Sequence, residues 1–349
     1  MSKSATSYPI RAIFLWFLLG QMPLLSAMEI AESIPTADAI FTMLKLEPDK
    51  VADLERGKIV PFETGESTTQ KEFMMGLSMY FPFPPAKLAA FFKRKDVATV
   101  DQEASALGEI FPQSGIDAFK GFIFTHEQSN EARNLLAVTA GDQFNLSAEE
   151  IDSFASLREK LTDADEMALI ASVSQHYQQI LWQRWQDYSK QGLTGVAAYA
   201  RKRANINLAD ELRIAAANSK LLTYFSPALQ KIWLNYPTQL PADTEERYFW
   251  LNRQVQNRPT AILNHRIVLT TDAASVIITR QFFVGHSYNS SHMILGCLPY
   301  GNGSILFYTH RTSTDQVQGN NLKRSIGRQR LKQQMMRNLQ FLRTALESS

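Results

Sequence analysis

The run Val276-Ile277-Ile278-Thr279-Arg280-Gln281-Phe282-Phe283-Val284-Gly285-His286-Ser287-Tyr288-Asn289, followed by Ile305-Leu306-Phe307-Tyr308-Thr309-His310-Arg311-Thr312, decides the fold. β-Branched and aromatic residues dominate both, and turn formers at 271–274 and 300–303 bound them, so both are strands. Working outward, residues 261–269 and 291–298 read as two further strands. Links this short join antiparallel neighbours. Beyond the last strand, Leu322, Ile326, Met335, Leu339, Leu342 and Leu346 recur at helical spacing, which predicts a closing helix over residues 321–346.

Upstream, residues 37–54 read as helical with a boundary at Pro48, and residues 71–81 as a strand with Phe73, Met75, Leu77 and Met79 on one face. Pro85 suits the first turn of a helix that runs through Phe92. A short strand is expected at 121–125 and a helix at 130–137. Ser147 and Glu150 form a capping box, and helices follow to 236. One of them, 166–191, carries His176 on an apolar face, where a packed core role is expected. Residues 246–251 suit either a strand or a helix. The expected fold class is α+β, an antiparallel sheet packed on a long C-terminal helix. A single domain spans 28–349, with an all-helical insertion at about 147–236 and the C-terminal sheet and helix at 259–349.

This order of elements is carried by residues 72–81 with Pro84, Pro85, Ala86 and Lys87, by the strands of 261–312 and by the helix from Asn321. It resembles the START and polyketide-cyclase-like superfamily, the helix-grip fold. The resemblance implies a curved sheet that wraps the last helix and leaves a cavity for a lipid, sterol or other apolar molecule. The helices of 147–236 depart from it as an insertion.

With 349 residues, 45% of them hydrophobic and 20% charged, the chain has globular composition. Its formal charge of +2 supplies no global field for nucleic acid. Lys3 and Arg11, the apolar run at 12–19, and Leu25-Ser26-Ala27 have the order of a secretory signal peptide, expected over residues 1–27. Export to the periplasm follows, with an uncleaved membrane anchor as the alternative. Cys297 is the single cysteine, so an intramolecular disulfide is excluded, and its apolar surroundings imply packing.

Three kinds of site could sit on these strands. Gly285-His286-Ser287-Tyr288-Asn289 departs from the Gly-x-Ser-x-Gly nucleophile elbow at its fifth position and leads into a strand instead of a helix. His265, His286, His292 and His310 lie on or beside neighbouring strands. A turn centred on 301 and 302 pairs 292 with 311, however, so His292 and His310 face opposite ways, and no metal ligand or cofactor is assigned. The period of two places Val276, Ile278, Arg280, Phe282, Val284, His286 and Tyr288 on one face. Thr279, Gln281, Gly285 and Ser287 fall on the other, which separates Ser287 from His286. An apolar wall with a few polar groups suits a ligand pocket. The candidate ligand-binding residues are therefore Arg280, Phe282, His286, Tyr288, His310 and Arg311, with Arg280 pairing either a ligand anion or a protein carboxylate. Asp315 is expected to accept a bond from the closing helix or from Arg311.

The function expected is binding or carriage of an apolar or amphipathic small molecule such as a lipid, rather than catalysis. The alternatives are a hydrolase or metal-dependent enzyme using His286, and an envelope scaffold. Residues 321–349 carry a net charge of +6. Lys323, Arg324, Arg328 and Arg330 are thus candidates for an anionic membrane surface, while the aromatic platform of a nucleic-acid binder is missing.

Overall fold

The structure, a computed structural model, describes residues 34–64, 69–94, 103–241, 244–271, 274–317 and 321–348. The expected leader at 1–27 lies outside the described residues. Among these, no helix is long and apolar enough to cross a membrane.

The elements, in chain order, are α1 (Ala37–Met43), α2 (Pro48–Glu55), β1 (Val60–Phe62), β2 (Glu72–Phe81), α3 (Pro85–Lys93) and β3 (Ala104–Glu109). They continue through α4 (Ser129–Leu136), α5 (Ala148–Lys160), α6 (Glu166–Gln191), α7 (Leu208–Ala217), α8 (Lys220–Phe225) and α9 (Pro227–Leu234). The chain ends with β4 (Thr244–Val255), β5 (Arg258–Thr270), β6 (Ser275–Val284), β7 (Ser290–Tyr300), β8 (Gly303–Ser313) and α10 (Asn321–Glu347). Residues 246–251 are thus strand. Residues 121–125 are not. Phe124 there donates its amide to Ser174 Oγ at 3.0 Å, and the Phe122 carbonyl accepts from Gln178 Nε2 at 2.8 Å. Helix side chains have taken the place of a neighbouring strand.

Eight strands form one antiparallel sheet in the order β1-β2-β8-β7-β6-β5-β4-β3. β4 to β8 run as a meander, and β2 closes onto β8 from far upstream. Local chemistry explains the helix starts: the Ser147 hydroxyl accepts from the Glu150 amide at 3.2 Å, and Glu150 accepts from the Ser147 amide at 2.7 Å. Pro48 and Pro85 sit in first turns, where no intrahelical amide is needed.

The two faces of the sheet are filled differently. One packs on α1 and on α4 to α9, through Val276, Ile278, Phe282 and Phe283 of β6 and Ile294 and Phe307 beside them. The other packs on α3 and α10 through Phe73, Leu77, Met79, Ile277, Leu295 and Tyr308. The expected α+β sheet on a long terminal helix is therefore the observed architecture, helix-grip-like in outline. His176 sits in the helical layer, 2.8 Å from Ser153 Oγ and edge-on to Phe154.

Candidate functional site

Between the sheet and α10 lies a cavity of about 780 Å³. Strand register builds its floor. Phe249, Asn264, Gln281, Ser291 and Thr312 form one cross-strand row, and Arg247, Arg266, Thr279, Met293 and His310 the next. Polar groups therefore run through the middle of a face that is apolar on either side, with Leu251, Ile262 and Val284 at one end and Leu295 and Tyr308 toward the other. Leu331, Leu339 and Leu342 of α10 form the roof. Lys323, Ile326, Arg330 and Arg337 of the same helix line its rim. Gly327 lets the helix approach here, since a Cβ would stand 2.6 Å from the Phe73 ring.

α10 is seated along only part of its length. Its buried stripe begins at Leu331, whereas residues 321–330 are exposed or half-buried. The far side is tied by Glu103, which takes Arg253 at 2.5 Å and Arg337 at 3.2 Å.

Tyr288 and His310 belong to this cavity. The Tyr288 hydroxyl donates to Gln281 Oε1 at 2.8 Å. His310 Nε2 lies 2.6 Å from Ser291 Oγ, and its buried Nδ1 has no hydrogen-bond partner among the described residues. Burial, reinforced by Arg253, pushes the His310 imidazole down to about 3, so it stands neutral in the wall.

Arg280, Phe282 and Arg311 belong to the other face. Arg280 is fully buried, donating Nη1 to Tyr188 Oη and Nη2 to the Trp233 carbonyl, each at 3.0 Å, with its guanidinium 4.2 Å from the Trp233 ring. Among the described residues, aromatic faces and neutral acceptors hold the charge. Phe282 stacks on Tyr188 at 4.0 Å. Arg311 donates to Glu72 at 3.0 Å and to the Asn218 carbonyl at 2.8 Å. Asp315 accepts from Arg201 Nε at 2.9 Å instead of from Arg311.

The row Tyr248, His265, Arg280, His292, Arg311 thus lies under the helical layer. Within it, His265 Nδ1 is 2.8 Å from Tyr188 Oη, and Nε2 is 2.9 Å from Glu246. Burial pushes His265 down to about 4, and burial followed by Arg280 and Arg311 holds His292 well below its ordinary value.

His286 and Ser287 sit past the end of β6, where alternation no longer applies. Ser287 has a φ of 73°, and its Oγ lies 2.6 Å from His286 Nδ1, so the two residues meet instead of facing apart. His286 Nε2 is 2.7 Å from Thr260 Oγ1 and 3.2 Å from the Pro259 carbonyl. A carbonyl only accepts, so the ring proton resides on Nε2 and Nδ1 accepts from Ser287. Burial, then the Arg258 charge, pushes His286 down to about 3. Buried Cys297 is likewise pushed, upward to about 12, an inert thiol.

The cavity residues that sequence reasoning missed are Asn264, Arg266, Thr279 and Gln281. Their signal was present as polar residues recurring on one parity of β5 and β6. Among the described residues, no group of three or more His, Cys, Asp or Glu could hold a metal ion. No family model, no curated protein and no solved structure matches the chain.

Proposed function

We propose that the protein binds an apolar or amphipathic small molecule in the cavity beneath α10, and so serves as a carrier or sensor. The observation that supports this is the cavity itself, which is of ligand size and sets apolar side chains such as Phe73, Leu295, Leu331, Leu339 and Leu342 against a band of polar and charged groups. His310 Nδ1 adds to it, because a buried nitrogen without a partner among the described residues costs free energy that a polar group of a ligand would recover. The rim supports contact with anionic headgroups, from which such a molecule would be drawn: Leu322 and Ile326 are exposed there beside Lys323, Arg324, Arg328 and Arg330.

The purified protein is expected to bind Nile red, and Leu295→Trp, which projects an indole into the cavity, to weaken that binding at least tenfold without unfolding the protein. Fluorescence titration with circular dichroism as the folding control decides it. Unchanged binding in that variant would count against the site.

Hydrolysis by Ser287 is the other reading, favoured by its contact with His286 at the cavity wall. An imidazole held down at about 3 is a weak base for a serine proton. No turnover of p-nitrophenyl esters is therefore expected; a steady rate abolished in Ser287→Ala would restore the hydrolase reading.

A further inference from the structure

Resting on that reading, we propose that the bound molecule is a long-chain carboxylic acid whose head group is gripped end-on by the Nη1 and Nη2 groups of Arg266. Arg266 stands at the centre of β5 and lines the cavity. Its Nε donates to Thr279 Oγ1 at 3.1 Å. Its guanidinium lies 5.3 Å from the Phe92 ring centroid and 4.8 Å from that of Phe249. The fork is thus held by one hydrogen bond and two aromatic faces while its terminal nitrogens make no hydrogen bond to a described residue. Little side-chain entropy is left to lose when an anion docks.

The other buried and half-buried arginines mark Arg266, itself half-buried, out. Arg184 pairs with Glu150, Arg201 with Asp315, Arg253 with Glu103, and Arg311 with Glu72. Arg280 spends its terminal nitrogens on Tyr188 and Trp233. Arg266 has no carboxylate within ion-pairing distance among the described residues, and burial, then the neighbouring Arg247, lowers its proton affinity only to about 10. It stays charged at neutral pH in a place where charge is costly unless matched.

A carboxylate matches it in both charge and shape. One guanidinium neutralises one negative charge, and two parallel N–H donors fit two oxygens. The wall beside it offers the neutral groups of Asn264, Thr279 and Gln281, and the neighbouring Arg247 is already paired with Glu245, so the second charge of a phosphomonoester would be left uncompensated. The chain of the acid then runs along Phe73, Leu295, Tyr308, Leu331, Leu339 and Leu342.

Displacement of Nile red by palmitate, hexadecanol and hexadecyl phosphate tests the assignment. Palmitate is expected to compete roughly 10- to 100-fold more tightly than hexadecanol. Arg266→Gln should erase that preference while Nile red still binds, and Arg266→Lys should restore part of it. Equal competition by acid and alcohol, or a preference that survives in Arg266→Gln, overturns the proposal while Nile red binding upholds the cavity. Arg266-dependent preference for the phosphate over palmitate overturns the carboxylate assignment. Failure of the unaltered protein to bind Nile red removes both readings. If Arg266→Gln does not fold, the comparison of acid with alcohol on the unaltered protein decides.

Discussion

Between pH 7 and pH 5 the protein is expected to lose roughly 6 kcal/mol of stability from three of its buried imidazoles, with a fourth acting in the same direction, enough to unfold many domains. The cause is the set of buried imidazoles: His265 held down at about 4, His286 and His310 at about 3, and His292 well below its ordinary value. All four are neutral in the native state, whereas the unfolded chain takes up protons at ordinary histidine values. The stability they contribute is complete above about pH 6.5 and drains away as pH falls toward the native values. Each imidazole costs about 1.4 kcal/mol per pH unit in that window, or about 2 kcal/mol at pH 5. Urea midpoints measured at half-unit steps should fall steeply from pH 6.5, and His310→Asn should flatten the profile by about a quarter. A level profile down to pH 5 would show that these rings are solvated.

Glu72→Ala is expected to destabilise the protein by about 3–5 kcal/mol at neutral pH. Glu72 and Arg311 are 2% and 6% exposed, so removal of the acid strands a guanidinium inside the sheet. The pair also joins β2 to β8, which are far apart in sequence and neighbours in the sheet. Glu72→Leu combined with Arg311→Leu should recover most of the loss, because the penalty comes from the unpaired charge and not from the absence of a pair. A double variant as unstable as Glu72→Ala would instead assign the cost to packing.

The elements that carry their own chemistry were readable from the sequence. The Ser147 and Glu150 box, Pro48 and Pro85, and the alternation of Phe73, Met75, Leu77 and Met79 all found their places. The turn centred on 301 and 302 even set the register, with His292 opposite Arg311. The functional face was harder to read. All ten residues of β6 are buried, so hydrophobic contrast could not orient the strand. A register shift between Leu263 and Asn264 then turns Phe283 toward the helices and Val284 toward the cavity, which breaks the period of two that had grouped Arg280 with Tyr288. Arg266 escaped notice because its distinction is negative: among the described residues it lacks the acid that arginines such as Arg184, Arg253 and Arg311 find, or the acceptors that Arg280 finds, by long-range contact.

The uneven seating of α10 turns occupancy into something a protease can read. Its first turns carry Lys323, Arg324, Arg328 and Arg330, four tryptic sites ahead of the buried stripe at Leu331. A guest beneath Ile326 and Gly327 would add packing to those turns, so trypsin should cut there quickly in the empty protein and slowly in the filled one.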